Sequence, residues 1–173
     1  MNAFKGWTPL SASSGLGRRD TTRGILAEFI VWKALGAKTK LRISWSNFDV
    51  ETPSGVRVEV RSSAYLQSFA QKKLSKIRFT GLTARSWDDE KGVFSPEREI
   101  RADVFVFAIQ TCTDPQAWDA LDVGQWEFYA ASAEAIRKHG WRSIGLPTLR
   151  RSAKGPFGYS GLPQAVEAAA SRG

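Results

Sequence analysis

NFDVETPSGVRVEVRSSAYLQ, residues 47–67, alternates apolar and charged side chains on both sides of a Pro-Ser-Gly. Such alternation around a turn signal predicts a β-hairpin. In a three-residue loop, Pro53 presets the turn and Gly55 takes the left-handed position. Counting back from that loop pairs Thr52 with Val56, Glu51 with Arg57, Val50 with Val58, Asp49 with Glu59, Phe48 with Val60 and Asn47 with Arg61. Phe48, Val50, Val58 and Val60 then share one face; Asn47, Asp49, Glu51, Arg57, Glu59 and Arg61 share the other. A two-residue loop would pair Asp49 with Val58 and mix acid with core, so the pattern selects the register.

The register sets Asp49 against Glu59, with Cβ atoms roughly 4.5–5.5 Å apart, where like charges repel unless a positive group lies between them. A divalent cation with oxygen ligands would satisfy the pair, and Mg²⁺ characteristically takes one or two carboxylates plus substrate phosphates. Arg57 and Arg61 flank the acids on the same face, and Glu51 opposite Arg57 is an ordinary cross-strand ion pair. A solvated, salt-bridged outer face therefore explains the same residues without chemistry. The hairpin by itself leaves both readings open.

The chain has 173 residues, a length suited to one domain with a real core. A single cysteine, Cys112, excludes an intrachain disulfide framework and a thiolate metal cluster. A single histidine, His139, excludes a histidine-rich zinc site. No apolar run reaches the length of a membrane span and the first residues lack an apolar signal core, so a cytoplasmic protein without membrane contact is expected. The net charge of +8 points to a polyanionic partner, for which nucleic acid is the commonest choice.

Residues 1–21 form a flexible basic lead-in and residues 22–173 a single domain with no internal repeat or linker. Arg18, Arg19 and Arg23 could follow a phosphate backbone or belong to a solvated tail. A helix capped by Asp20, Thr21 or Thr22 runs to Gly36 and is apolar nearly all round, so it should be buried. Glu28 is its exception, bracketed by Gly24, Ile25, Val31, Trp32 and Leu35. A carboxylate there calls for an arginine or a cation. Residues 41–45 begin the first strand of the hairpin, and a helix capped by Ser62 or Ser63 should run to about Ser75, carrying Gln67 near its start.

A strand over 76–82, a long loop over 83–100, a buried strand over 101–112 and a loop over 114–124 follow. Asp103, at the start of the buried strand, reads as a cap or structural ion pair. Next come a strand over 126–131, a helix from Ser132 to Gly140, a strand over 141–146 and a terminal helix over 160–171 capped by Ser160. Lys72, Lys73, Lys76 and Arg78 form one basic cluster and Arg142, Arg150, Arg151 and Lys154 a second. Both suit phosphates, although basic residues at a helix C-terminus are also ordinary. The expected architecture is α/β: a central mixed β-sheet with an antiparallel hairpin, flanked by helices.

An opening helix with a buried glutamate, then Asp-x9-Glu-x-Arg across a hairpin, then a helix with a glutamine six residues on, resembles the PD-(D/E)xK restriction-endonuclease-like nuclease superfamily. VEVRSSAYLQ is similar to its Glu-x-Lys strand and following helix, the expected α-β-β-α-β core order agrees, and the likeness spans roughly residues 22–131. The resemblance implies Mg²⁺ (or Mn²⁺) held by Asp49 and Glu59 with the Val60 carbonyl as a third ligand. It makes Glu28 the helix acid that completes or orients the metal shell, and Gln67 a glutamine near the site. The family's usual lysine is Arg61 here. Arginine is a poor proton shuttle but can fork across a phosphate or orient water.

Two functions follow. One is a metal-dependent nuclease hydrolysing phosphodiester bonds, with DNA the expected substrate, catalysed by Asp49, Glu59, Arg61, Glu28 and Gln67. The other is a nuclease-fold module without turnover that binds nucleic acid through Arg57, Arg61 and the two basic clusters. The resemblance also admits a homodimer, although no heptad or interface stripe is visible.

Overall fold

The computed structural model describes residues 20–37, 48–85, 87–88 and 92–171. The expected lead-in through residue 19, the strand over 41–45 and Asn47 lie outside the described residues. In chain order the elements are α1 (Asp20–Ala34), β1 (Val50–Glu51), β2 (Arg57–Ala64), β3 (Arg78–Thr80), β4 (Trp87–Asp88), β5 (Val93–Phe94), β6 (Val104–Gln110), β7 (Trp126–Ser132), α2 (Ala133–His139), β8 (Ser143–Gly145), α3 (Leu146–Ser152), β9 (Lys154–Phe157) and α4 (Leu162–Ala170).

The hairpin forms in the expected register: Val50 faces Val58 and Glu51 faces Arg57. The Thr52 amide donates to the Val56 carbonyl at 3.0 Å, closing the three-residue Pro-Ser-Gly loop, and Gly55 sits at φ 87°. The Thr52 hydroxyl accepts from the Val56 amide, and Ser54 Oγ donates to Glu167 on α4 at 2.6 Å, so the turn is tied to the C-terminal helix. The ladder is shorter than expected and ends at Val50. The Asp49 amide still reaches the Val58 carbonyl at 3.0 Å, but its carboxylate accepts from the Val60 amide at 2.8 Å. A side chain thus takes the donor that a longer β1 would have needed.

The main sheet has five strands in the order β1-β2-β6-β7-β9. β2 and β6 run parallel and the other neighbouring pairs antiparallel, so the sheet is mixed. All seven residues of β6 are buried. Its alternation serves two cores, because successive side chains leave opposite faces of a strand. Val104, Val106 and Ala108 join Val58, Val60 and Phe128 beneath α1 and α4. Phe105, Phe107 and Ile109 join Tyr129 beneath β3, β8, α2 and α3, a layer contributing Phe79, Ile144, Ile136 and Leu149. Each fully buried Ile or Phe contributes about 1.5–3 kcal/mol, which makes this central strand the organising element. The result is an α/β fold: a mixed central sheet covered on both faces.

Several expectations require correction. Residues 62–75 do not form a helix. Ser62, Ser63 and Ala64 continue β2 against Ala108, Ile109 and Gln110, and residues 65–77 are irregular. The Gln71 amide explains the alternative, since it accepts from the Gln67 amide at 2.7 Å and donates to the carbonyls of Tyr65 and Lys73 and to Ser75 Oγ. Side-chain bonds of this kind satisfy backbone groups that a helix would otherwise use. The expected loop over 83–100 contains the β4–β5 hairpin and an Ala84–Glu99 bridge. α3 and β9 occupy the stretch between the expected strand over 141–146 and the terminal helix, where no element was expected; Pro147 in the first turn of α3 was a usable start signal. The terminal helix begins at Leu162 with Gly161 as its cap in place of Ser160.

Ser132 and Gly140 behave as expected. The Ser132 hydroxyl accepts from the Ala135 amide, and Gly140 ends α2 in the left-handed region at φ 62°.

Candidate metal and nucleic-acid site

Glu59 and Arg61 lie in register with Phe105 and Phe107, so they leave β2 on the face covered by β3 and β8. Near the hairpin end the charged residues meet on that face. Arg61 Nη2 is 2.5 Å from Glu59 Oε1, and Arg61 Nη1 is 3.9 Å from Asp49 Oδ2. Nη1 also donates to the Val60 carbonyl at 3.2 Å, while Nε and Nη2 donate to the Gly81 carbonyl at 3.2 and 2.9 Å. Gly81 follows β3 at φ 71°, a conformation that favours glycine, and this aims its carbonyl at the guanidinium. The side chains are enclosed but reachable: Asp49 is 7% exposed, Glu59 16% and Arg61 28%.

The Asp49 and Glu59 carboxylates and the Val60 carbonyl therefore converge on one positive group, the set expected to hold Mg²⁺ or Mn²⁺. Their chemistry suits a hard divalent cation, which prefers oxygen ligands. Glu28, the helix acid, lies on α1. α1 packs on the face carrying Val58 and Val60, opposite to Glu59 and Arg61, and among the described residues no three His, Cys, Asp or Glu side chains gather as a metal-holding group. Gln67 is engaged elsewhere. Its Oε1 accepts from Arg23 of α1 at 3.3 Å and its Nε2 donates to the Ala64 carbonyl at 3.0 Å, bracing α1 against the end of β2. Arg23 itself is 7% exposed and belongs to that brace, not to a solvated tail.

Arg57 is also committed. It forms a two-pronged pair with Asp103 at 2.6 and 3.0 Å, and the Arg57 amide donates to the same carboxylate. The hydrogen bond from Arg57 holds the Asp103 carboxyl below its usual range and raises the guanidinium in turn. Asp103 thus acts as the structural ion pair anticipated for it.

The segments that carry the two basic clusters adjoin through β3 and β8. β3 pairs with β8, setting Arg78 opposite Gly145 and Thr80 opposite Ser143. The Leu82 amide reaches the Arg142 carbonyl at 3.5 Å, so Arg142 adjoins the Gly81 turn that receives Arg61. Lys72, Lys73, Lys76, Arg78, Arg142, Arg150, Arg151 and Lys154 are all exposed. Arg150 additionally donates to the buried Tyr129 hydroxyl at 3.4 Å. Sequence reasoning missed Gly81 and the β3–β8 pairing; a lone glycine after a short strand was the available signal for the first.

No helix among the described residues is long and apolar enough to cross a membrane. The chain matches no protein-family model and no curated protein.

Proposed function

We propose that this chain is a metal-dependent nuclease of the restriction-endonuclease-like type, hydrolysing phosphodiester bonds of DNA. The observation that carries the reading is the convergence of the Asp49 and Glu59 carboxylates and the Val60 carbonyl around one cationic group. Such a set would hold Mg²⁺ or Mn²⁺, which polarises a phosphoryl oxygen and generates hydroxide from bound water near neutral pH. Arg61 would fork across the phosphate, and the two basic clusters would track the backbone on either side.

A second reading has its own support. Arg61 already neutralises the acid pair, as expected if the fold binds nucleic acid without turnover. Cleavage of supercoiled plasmid and of single-stranded DNA with Mg²⁺ or Mn²⁺ separates the two. The nuclease reading expects metal-dependent nicking that Asp49→Ala and Glu59→Ala each abolish. Absence of cleavage, with DNA binding kept or tightened in those variants, would instead establish the binding module.

A further inference from the structure

We propose that the Arg61 guanidinium is a built-in counter-cation that occupies the metal position and must leave it before a divalent ion can bind. A nucleic-acid phosphate is the ligand that draws it out. The inference rests on the metal-site reading above and adds a regulatory step to it. Nη1 and Nη2 of Arg61 reach the three oxygens that would ligate the ion, and Nε and Nη2 close on Gly81. A divalent ion bound at about 2.0–2.1 Å from those oxygens would stand within a few ångströms of the guanidinium charge. The two cations therefore exclude one another.

The geometry also accounts for arginine in place of lysine. A guanidinium presents several donors in a flat fork, whereas an ammonium is one compact centre. The fork reaches the Glu59 carboxylate, the Val60 carbonyl and the Gly81 carbonyl from three nitrogens spread across one plane. The exit is also provided for: the Arg61 side chain is 28% exposed, and Arg142 lies beyond the Gly81 turn as a neighbouring phosphate contact. A phosphate offers the fork a two-pronged alternative to Glu59. Binding of nucleic acid and binding of metal then favour one another, and such coupling is reciprocal.

The test is Mn²⁺ binding followed by the paramagnetic resonance of the free ion, with and without a short duplex DNA. The Asp49→Ala/Glu59→Ala double variant supplies the background due to DNA and surface. Without DNA, Arg61→Gln should bind Mn²⁺ at least about tenfold more tightly than wild type, within the roughly 5–150-fold span of ordinary coupling. Arg61→Lys should fall between them, and it carries the test if the Gln variant fails to unfold cooperatively. Duplex DNA should bring wild type close to Arg61→Gln. Equal affinities without DNA would overturn the exclusion while leaving the metal site standing. Mn²⁺ binding at background level in every protein would overturn the metal site, and the exclusion with it.

Discussion

Asp49 has a structural duty as well as a chemical one, and the two can be separated. Its carboxylate accepts from the Val60 amide at 2.8 Å where β1 stops, and Val60 is only 4% exposed. Asp49→Ala strands that donor away from water, costing about 1–3 kcal/mol. Losing the 3.9 Å approach to the partly exposed Arg61 adds a few tenths to about 1 kcal/mol. A total of about 1–4 kcal/mol lowers the melting temperature of a chain this size by about 2–16 °C. In Asp49→Asn the side-chain carbonyl can still accept from Val60, so about 1 kcal/mol is expected, or about 2–4 °C. Urea unfolding with intrinsic tryptophan emission, repeated by calorimetry, measures both. Asn should restore most of the stability lost in Ala while leaving Mn²⁺ binding impaired. An Asp49→Ala protein as stable as wild type would refute the structural half of this reasoning.

Two further predictions follow from single contacts. A Cβ added at Gly155, which sits at φ 139°, would lie 2.7 Å from both the Phe128 carbonyl oxygen and Tyr129 Cδ1. Gly155→Ala should therefore cost about 2–4 kcal/mol from backbone strain and overpacking, read as a lower urea midpoint with exchange protection lost first along β9. Arg57 holds the Asp103 carboxyl below its usual range through their hydrogen bond. That stabilisation is present above the unfolded carboxylate value of about 4 and is lost as pH falls through the lower folded value. Arg57→Leu should therefore lose stability at pH 7 and show a shallower decline below pH 4. The pair is exposed, so the effect should stay under about 1 kcal/mol.

The parts of the fold legible in the sequence were those set by local chemistry. Pro53 and Gly55 prescribed the loop, and the loop prescribed the register, so Val50 meets Val58 without tertiary information. Residues 104–109 were apolar throughout and could lie only between two layers. Ser132 and Gly140 bounded α2 by capping rules. The failures have two causes. Nothing local says that Ser63 will face Ile109 in a parallel ladder, whereas Gln71 bonds to neighbours two to six residues away and competes locally with a helix that the apolar pattern alone favours. α3 and β9 are shaped by Gly145, Gly155 and Pro156, residues that signal loops when read alone.

The site divides in the same way. Asp49, Glu59 and Arg61 could be placed together by counting along the hairpin, because their relation is local. The Gly81 carbonyl could not, since it arrives on a turn twenty residues later and is oriented by β3 pairing with β8. For Glu28 the reach of the sequence is geometric: an apolar sector around a helical acid tells that the helix is buried, not which face of the sheet it covers. This difference bears on which acid tests the chemistry more cleanly. Asp49 terminates β1 with its side chain, so a variant there perturbs the hairpin before it perturbs a metal. Glu59 sits mid-strand, with its backbone position fixed by the ladder to Phe105 whatever its side chain carries. Glu59→Gln keeps the shape and removes the charge. Activity or metal binding lost there, with unfolding unchanged, speaks to the carboxylate alone.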